Sequence, residues 1–270
     1  MDSNVVETLA ACLSANQPVA LVTVIANTGS SPGKAGAMMT VQEDTTITGT
    51  VGGGSLENQA VLEAVDCLVT GKSKEVRYAL DSGGDLGMIC GGELRMFIKV
   101  FLPAPRLVVV GAGHIGLELY YLALHQGFRV VVIDDREKLV TQERFPEAER
   151  IVTDDLVRTL TEYVIDTNCF VTIATRSHEA DRLALEAVVK TSEASYFGMI
   201  GSRKKVKNTL TYLLEHGIPR ETVAEIYAPM GLDIASVKPK EIALSIMSEI
   251  LLVKNNGSLQ HMRAIKGFEM

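Results

Sequence analysis

The chain has 270 residues, 47% hydrophobic and 22% charged, a balance that suits a soluble globular protein of about two domains with a sizeable core. Its 26 basic against 33 acidic side chains leave a net charge of -7, and Arg203-Lys204-Lys205 is the one dense basic run, so no nucleic-acid footprint is expected. No stretch approaches the ~18 apolar residues of a membrane span, and Met1-Asp-Ser-Asn-Val-Val-Glu7 lacks the basic and apolar regions of a leader, so no membrane association and a cytoplasmic location are expected.

In chain order, the periodicity predicts a helix over Asn4–Ala15, with Val5, Leu9 and Cys12 on one face, then strands at Val19–Ala26 and Gly36–Val41. A helix over Ser55–Val69, with Ala60, Ala64, Cys67 and Leu68 on one face, and strands near Glu75–Leu80 and Leu94–Phe101 complete a mixed α+β domain spanning residues 1–102. Two glycine-rich loops interrupt it, and either could cradle an anion. Asn27-Thr-Gly-Ser30-Ser31-Pro32-Gly33-Lys34-Ala-Gly36 follows the first strand, and Gly49-Thr-Val-Gly52-Gly53-Gly54-Ser55-Leu56-Glu57 runs into the helix, with Ser55 as its expected N-cap. Cys90 lies in Gly87-Met-Ile-Cys90-Gly91-Gly92-Glu93, a turn where backbone amides could surround a thiolate, or where the thiol could simply pack.

Pro103-Ala-Pro105 is a stiff linker. Beyond it, Leu107-Val-Val-Val-Gly111-Ala-Gly113-His-Ile-Gly116 is an apolar strand running through G-x-G-x-x-G into a helix at Ile115–Gln126. Gly111 serves the tight turn, Gly113 the approach of a pyrophosphate to the backbone, and Gly116 close helix packing, while His114 within the pattern does no expected chemistry. The next strand, Val130–Ile133, ends in Asp134, 23 residues after Gly111, where the Rossmann fold places the acid that holds a ribose hydroxyl; Arg136 keeps a phosphorylated ribose open. A strand at Arg150–Val152, strands at Phe170–Ala174 and Ala194–Met199, and helices at Leu183–Lys190, Lys204–Glu215 and Lys240–Val253 then predict a doubly wound parallel sheet over residues 106–253, with a flexible tail at 254–270.

Polar clusters at three strand ends point to one crevice: Asp134-Asp-Arg136, Thr175-Arg-Ser-His178 and Gly201-Ser202-Arg203-Lys204. His178 is either a ligand contact or only a helix cap, with no second His or Cys at metal spacing. Arg203-Lys204-Lys205 is either a solvated helix start or, because cations oppose the dipole there, an anion partner. The four cysteines, Cys12, Cys67, Cys90 and Cys169, include no C-x-x-C pair, so neither a disulfide framework nor a cysteine zinc site is expected. Cys12, Cys67 and Cys169 read as core residues.

These motifs together resemble the XdhC/CoxI family of accessory proteins for molybdenum hydroxylases such as xanthine dehydrogenase. The resemblance runs through Asn27-Thr-Gly-Ser-Ser-Pro32, Gly52-Gly-Gly-Ser-Leu-Glu57, Cys90-Gly-Gly92, Gly111–Gly116, Asp134-Asp-Arg136 and His178-Glu-Ala-Asp181. It continues in Tyr196-Phe-Gly-Met-Ile-Gly-Ser-Arg-Lys204, Pro229-Met-Gly-Leu-Asp-Ile234 and Glu241-Ile-Ala-Leu-Ser245. The chain departs from the family pattern at Gly33, where a basic residue is common, and at Ala235-Ser236, where Gly-Ala is.

The resemblance implies a protein that binds the molybdenum cofactor, as molybdopterin or its dinucleotide form, supports its sulfuration with a cysteine desulfurase, and hands it to the apo-hydroxylase, as a homodimer. Phosphate-bearing cofactor contacts are expected from Ser30, Lys34, Gly53, Gly54, Ser55, Glu57, Gly111, Gly113, His114, Gly116, Asp134, Arg136, His178, Ser202, Arg203 and Lys204. Cys90 is the candidate thiol, as a transient molybdenum ligand or persulfide carrier, and no acid, base or nucleophile for turnover is assigned. Two other classes stay open: an NAD(P)-dependent oxidoreductase using Asp134 and His178, and a nucleotide-sensing regulator.

Overall fold

The computed structural model describes residues 2–29, 31–79, 92–265 and 267, and the chain divides into two compact units, 1–103 and 104–270. Unit one contains helix α1 (Asp2–Ser14), strands β1 (Val19–Thr28), β2 (Met38–Gln42) and β3 (Ile47–Gly49), helix α2 (Gly54–Thr70), and strands β4 (Lys74–Ala79) and β5 (Glu93–Phe101). The strands form one antiparallel sheet in the order β3-β2-β1-β5-β4. In β5 every second residue, Leu94, Met96, Ile98 and Val100, is buried, and these meet Leu56, Ala60, Ala64 and Cys67 of α2 in a single core. That is the mixed α+β unit expected from the periodicity. Strand β3 is an addition to it, since three residues are too few to show alternation.

Unit two contains β6 (Arg106–Val110), α3 (His114–His125), β7 (Arg129–Asp134), β8 (Glu149–Val152), α4 (Leu156–Glu162), β9 (Cys169–Ile173), α5 (His178–Thr191) and β10 (Tyr196–Met199). Helices α6 (Arg203–Glu215), α7 (Arg220–Ala224), α8 (Pro239–Lys254) and α9 (Met262–Ile265) follow. All five strands are parallel, in the order β10-β9-β6-β7-β8, so the chain reverses its winding direction between β6 and β9. Alternation splits the apolar residues between two layers. Leu107 and Val109 of β6 face a core with α3 and α8, while Val108 and Val110 face a second core with α4, α5 and α6. This is the doubly wound sheet the sequence predicts. Among the described residues, no helix is long and apolar enough to cross a membrane.

Several boundaries differ for local reasons. Ser55 is not the cap of α2: the helix starts at Gly54, Gly53 occupies the N-cap with φ 76°, and no side chain caps it. Gly52, Gly53 and Gly54 all hold positive φ, which lets the chain turn into the helix one residue earlier than a serine cap would. Helix α5 starts at His178 rather than Leu183, because the Ser177 hydroxyl accepts the Ala180 amide at 3.1 Å and nucleates the first turn. Helix α4 is too short to show in the apolar periodicity, although Asp155 ahead of Leu156 is a cap signal and does accept the Arg158 amide at 2.9 Å.

Candidate functional site

At the carboxyl end of β6 the chain enters Gly111 with φ 117°, a conformation that only glycine adopts without strain. A Cβ there would also lie 2.3 Å from the Ala174 carbonyl oxygen, so the turn is pinned against the end of β9. At Gly116 a Cβ would lie 2.0 Å from the Gly111 carbonyl oxygen, which is why α3 can sit directly on the turn. Gly113 differs from both. A Cβ there would meet nothing within 4 Å, and Gly113 is the N-cap of α3 with no side-chain cap. The N-terminus of α3 thus has room beside it, and its first-turn N–H groups have no acceptor within the helix, an arrangement suited to phosphate.

Asp134, only 4% exposed, ends β7 beside this turn. One carboxylate oxygen accepts the Ala112 amide at 2.6 Å and Arg136 Nη2 at 2.7 Å; the other accepts the Arg136 backbone N–H at 2.9 Å and Nε at 2.8 Å. Burial works to raise its pKa, and the hydrogen bonds from Arg136 and the Ala112 amide outweigh it, holding the carboxyl at about 2. Asp134 stands where the ribose acid is expected, but here it ties the glycine turn to Arg136.

Gly111 and Asp134 line a crevice of about 310 Å3 together with Asp155, Thr175, Arg176 and Ser177. Asp135 and Asp154 also border it, and Arg176 Nη2 meets Asp135 at 2.6 Å. The crevice lies at the winding reversal, where open α/β sheets bind ligands. Asp154 and Asp155 are not among the sequence-predicted site residues; the cap signal that marks the start of α4 is what could have found them.

A second cleft, of about 650 Å3, gathers His178, Glu179 and Arg182 of α5 with Ser202, Lys204 and Asn208 at the start of α6. Ser202 caps α6, with its hydroxyl accepting the Lys205 amide at 3.4 Å. Lys205 also lines the cleft, and its ammonium pairs with Asp181, which is fully buried and accepts the Thr175 amide at 2.7 Å. Arg203 is exposed and not part of this lining, while His114 lines a different cleft with Lys238 and Lys240. The three strand ends therefore do not share one crevice as the sequence suggests: Asp134 and Thr175-Arg-Ser177 line the first, while His178, Ser202 and Lys204 line the second, because the start of α6 packs beside α5.

In unit one the two glycine loops pack on each other. A Cβ at Gly33 would lie 2.2 Å from the Val51 carbonyl oxygen, and one at Gly52 would lie 2.7 Å from the Gly33 nitrogen. Lys34 is exposed at the rim. Glu57, expected to meet a ligand, turns its carboxylate to the Thr50 hydroxyl and the Val51 amide and so braces the loop. Gly53 and Gly54 leave open space where side chains would stand, and Ser55 is exposed. Ser30 and Cys90 lie outside the described residues. Among the described residues, no group of three or more His, Cys, Asp or Glu side chains is placed to hold a metal ion.

A parallel sheet with a glycine turn and an open helix N-terminus at its winding reversal defines a Rossmann-type unit, joined in this chain to an antiparallel α+β unit. Sequence comparison places both units. The XdhC Rossmann domain matches residues 107–250 and the XdhC and CoxI family domain matches residues 12–79, and the chain belongs to the XdhC and CoxI family. Its relatives include Escherichia coli (strain K12) YqeB, described as an uncharacterized protein, 34% identical over 244 residues that make 89% of this chain and 44% of YqeB. A probable xanthine dehydrogenase subunit from Bacillus subtilis (strain 168) is 30% identical over 156 residues, 58% of this chain and 45% of that protein. The molybdenum cofactor insertion chaperone PaoD of Escherichia coli (strain K12) is 25% identical over 277 residues, 90% of this chain and 85% of PaoD. The chain spans less than half the length of the first two.

Proposed function

We propose that this chain is an accessory protein that binds the molybdenum cofactor and delivers it to an apo molybdenum hydroxylase of the xanthine dehydrogenase type, acting in the cytoplasm as a homodimer. The observation that carries the reading is the open, uncapped N-terminus of α3 at Gly113, beside a crevice at the winding reversal of the sheet. Those amides suit the phosphate that molybdopterin and its dinucleotide carry. The kinship with PaoD, a molybdenum cofactor insertion chaperone, and with a probable xanthine dehydrogenase subunit supports cofactor and recipient. The cofactor supplies molybdenum held by a dithiolene. Cys90 supplies the thiol, as a transient ligand or as the carrier of a persulfide received from a cysteine desulfurase. Ser30, Lys34 and the Gly53-Gly54-Ser55 turn are proposed as further cofactor contacts.

A nicotinamide dinucleotide is the second reading, favoured by the position of Asp134 at the end of β7. A ribose diol there would have to displace Arg136 from Asp134, since that guanidinium already spans both carboxylate oxygens.

The test is mass spectrometry of the protein purified from a host that makes the cofactor. The parent is expected to carry a molybdenum pterin species, and Gly113→Val to lose it by about tenfold or more, because a branched side chain would fill the approach to the α3 amides. The fold tolerates that change, since Gly113 has φ -69° and no neighbour within 4 Å of a Cβ. Equal loading of parent and variant, or an adenine dinucleotide as the bound species, would defeat the proposal.

A further inference from the structure

The crevice at the winding reversal has a wall that no phosphate needs. Leu156 and Val157 at the start of α4, with Ala180 and Leu183 of α5, line it with apolar side chains from two helices, and Ile133 adds another from the end of β7. Its volume of about 310 Å3 stands at the small end of ligand pockets, roughly 300–1,000 Å3. An apolar crevice of that size suits a compact ring system.

The rim is acidic, and its carboxylates are not alike. Asp134 is held by the Ala112 amide and Arg136, Asp135 meets Arg176 Nη2 at 2.6 Å, and Asp155 accepts the Arg158 amide at 2.9 Å as the cap of α4. Asp154, exposed on the same lining, has no hydrogen bond or ion pair with any described residue. Four carboxylates repel a phosphate, so the crevice and the α3 N-terminus suit unlike parts of a ligand. A carboxylate only accepts, and its two oxygens fit two N–H donors side by side. The group complementary to this lining is therefore a flat apolar ring with a pair of donors on one edge.

We propose that this crevice receives a heterocycle with an N–H beside an amino group, the 2-amino-4-oxo edge shared by a pterin and by guanine. The ring lies against Leu156, Val157, Ala180 and Leu183, and the edge donates to Asp154. Asp154 is then the residue that selects, since an analogue with an oxygen in place of the amino group turns lone pairs towards a carboxylate. Recognition of the edge rests on this lining alone. The pterin of the molybdenum cofactor as occupant rests on the function proposed above, with the phosphate of that cofactor at the α3 amides beside the same crevice.

The experiment is fluorescence titration of the whole chain with pterin itself and with lumazine, the pteridine that carries an oxygen where pterin has its amino group. Neither carries a phosphate, so neither reports on the α3 N-terminus. The parent is expected to bind pterin about tenfold or more tightly than lumazine, and Asp154→Ala to weaken pterin binding by about tenfold and erase the preference, the scale of one charge-assisted hydrogen bond. Asp154 is exposed, so its variant keeps the fold. Glu215→Ala, on the exposed last turn of α6, is expected to bind as the parent does. Guanosine, which carries the same edge on a ribose, separates the two sources: tighter binding than pterin assigns the crevice to a guanine nucleotide, weaker binding to the cofactor's pterin. Equal affinity for pterin and lumazine, parental binding by Asp154→Ala, or equal weakening by Glu215→Ala would each overturn the proposal. A chain that prefers pterin through Asp154 yet copurifies without a molybdenum pterin defeats the functional reading and keeps this one; a chain that carries the cofactor yet treats pterin and lumazine alike does the reverse.

Discussion

Ala235 holds a left-handed backbone, φ 56°, in the turn after Leu232-Asp-Ile234, the position where the family pattern has glycine. The Asp233 carboxylate accepts its amide at 3.2 Å and helps hold the turn. A Cβ in this conformation costs roughly 1–2 kcal/mol, and glycine would give back roughly 0.4–1 kcal/mol through the entropy of the unfolded chain. Ala235→Gly is therefore expected to stabilise by about 0.5 kcal/mol and raise the melting temperature by about 1–2 °C, which scanning calorimetry can read; a lower melting temperature would contradict the strain argument. Gly33, the other departure, has the opposite cause: a side chain there would strike the Val51 carbonyl, so this loop excludes a basic residue.

The elements that shape the basic cleft are α5 and α6, and one buried ion pair joins them. Asp181 receives Lys205 from the neighbouring helix and the Thr175 amide from the end of β9, which locks both helix starts to the sheet. Removing one member of a buried pair leaves the other uncompensated, a loss of roughly 3–5 kcal/mol. Asp181→Asn should keep the amide contact and lose about 3 kcal/mol in denaturant unfolding, and adding Lys205→Met should restore much of it. A double-mutant cycle with coupling near zero would show that the pair does not join the helices energetically.

Across the whole molecule, Cys90 is the thiol proposed to do chemistry. Cys12, Cys67 and Cys169 are buried; burial raises the Cys67 thiol and, with Asp166 beside it, takes Cys169 to about 11. Raised thiols are scarce as thiolates, so Cys67 and Cys169 serve packing. Cys90→Ser is expected to fold, to lose copurified molybdenum cofactor, and to fail to activate a co-expressed apo-hydroxylase, whereas Cys67→Ala costs only roughly a kcal/mol of core packing. Activation at the parental rate by Cys90→Ser would show that the thiol has no chemical role and leave cofactor handling to the phosphate-binding loops.

The parallel sheet, the glycine turn and the apolar runs that fill both layers are legible in the amino-acid order, because each depends on residues close in the chain. Gly111, Gly113 and Gly116 fall within one turn, and Asp134 ends the very next strand. Many short motifs in register made the family legible in the same way. The sharing-out of the polar residues belongs to the folded chain instead. Arg136 closing over Asp134 and Glu57 bracing its own loop are local pairings set by the path of the folded backbone, and Asp181 meeting Lys205 depends on how α5 and α6 come together, so no spacing announces any of them. The cleft that brings His178 and Arg182 beside Ser202 and Lys204 exists only once α5 and α6 lie side by side, because its two walls come from separate stretches of the chain.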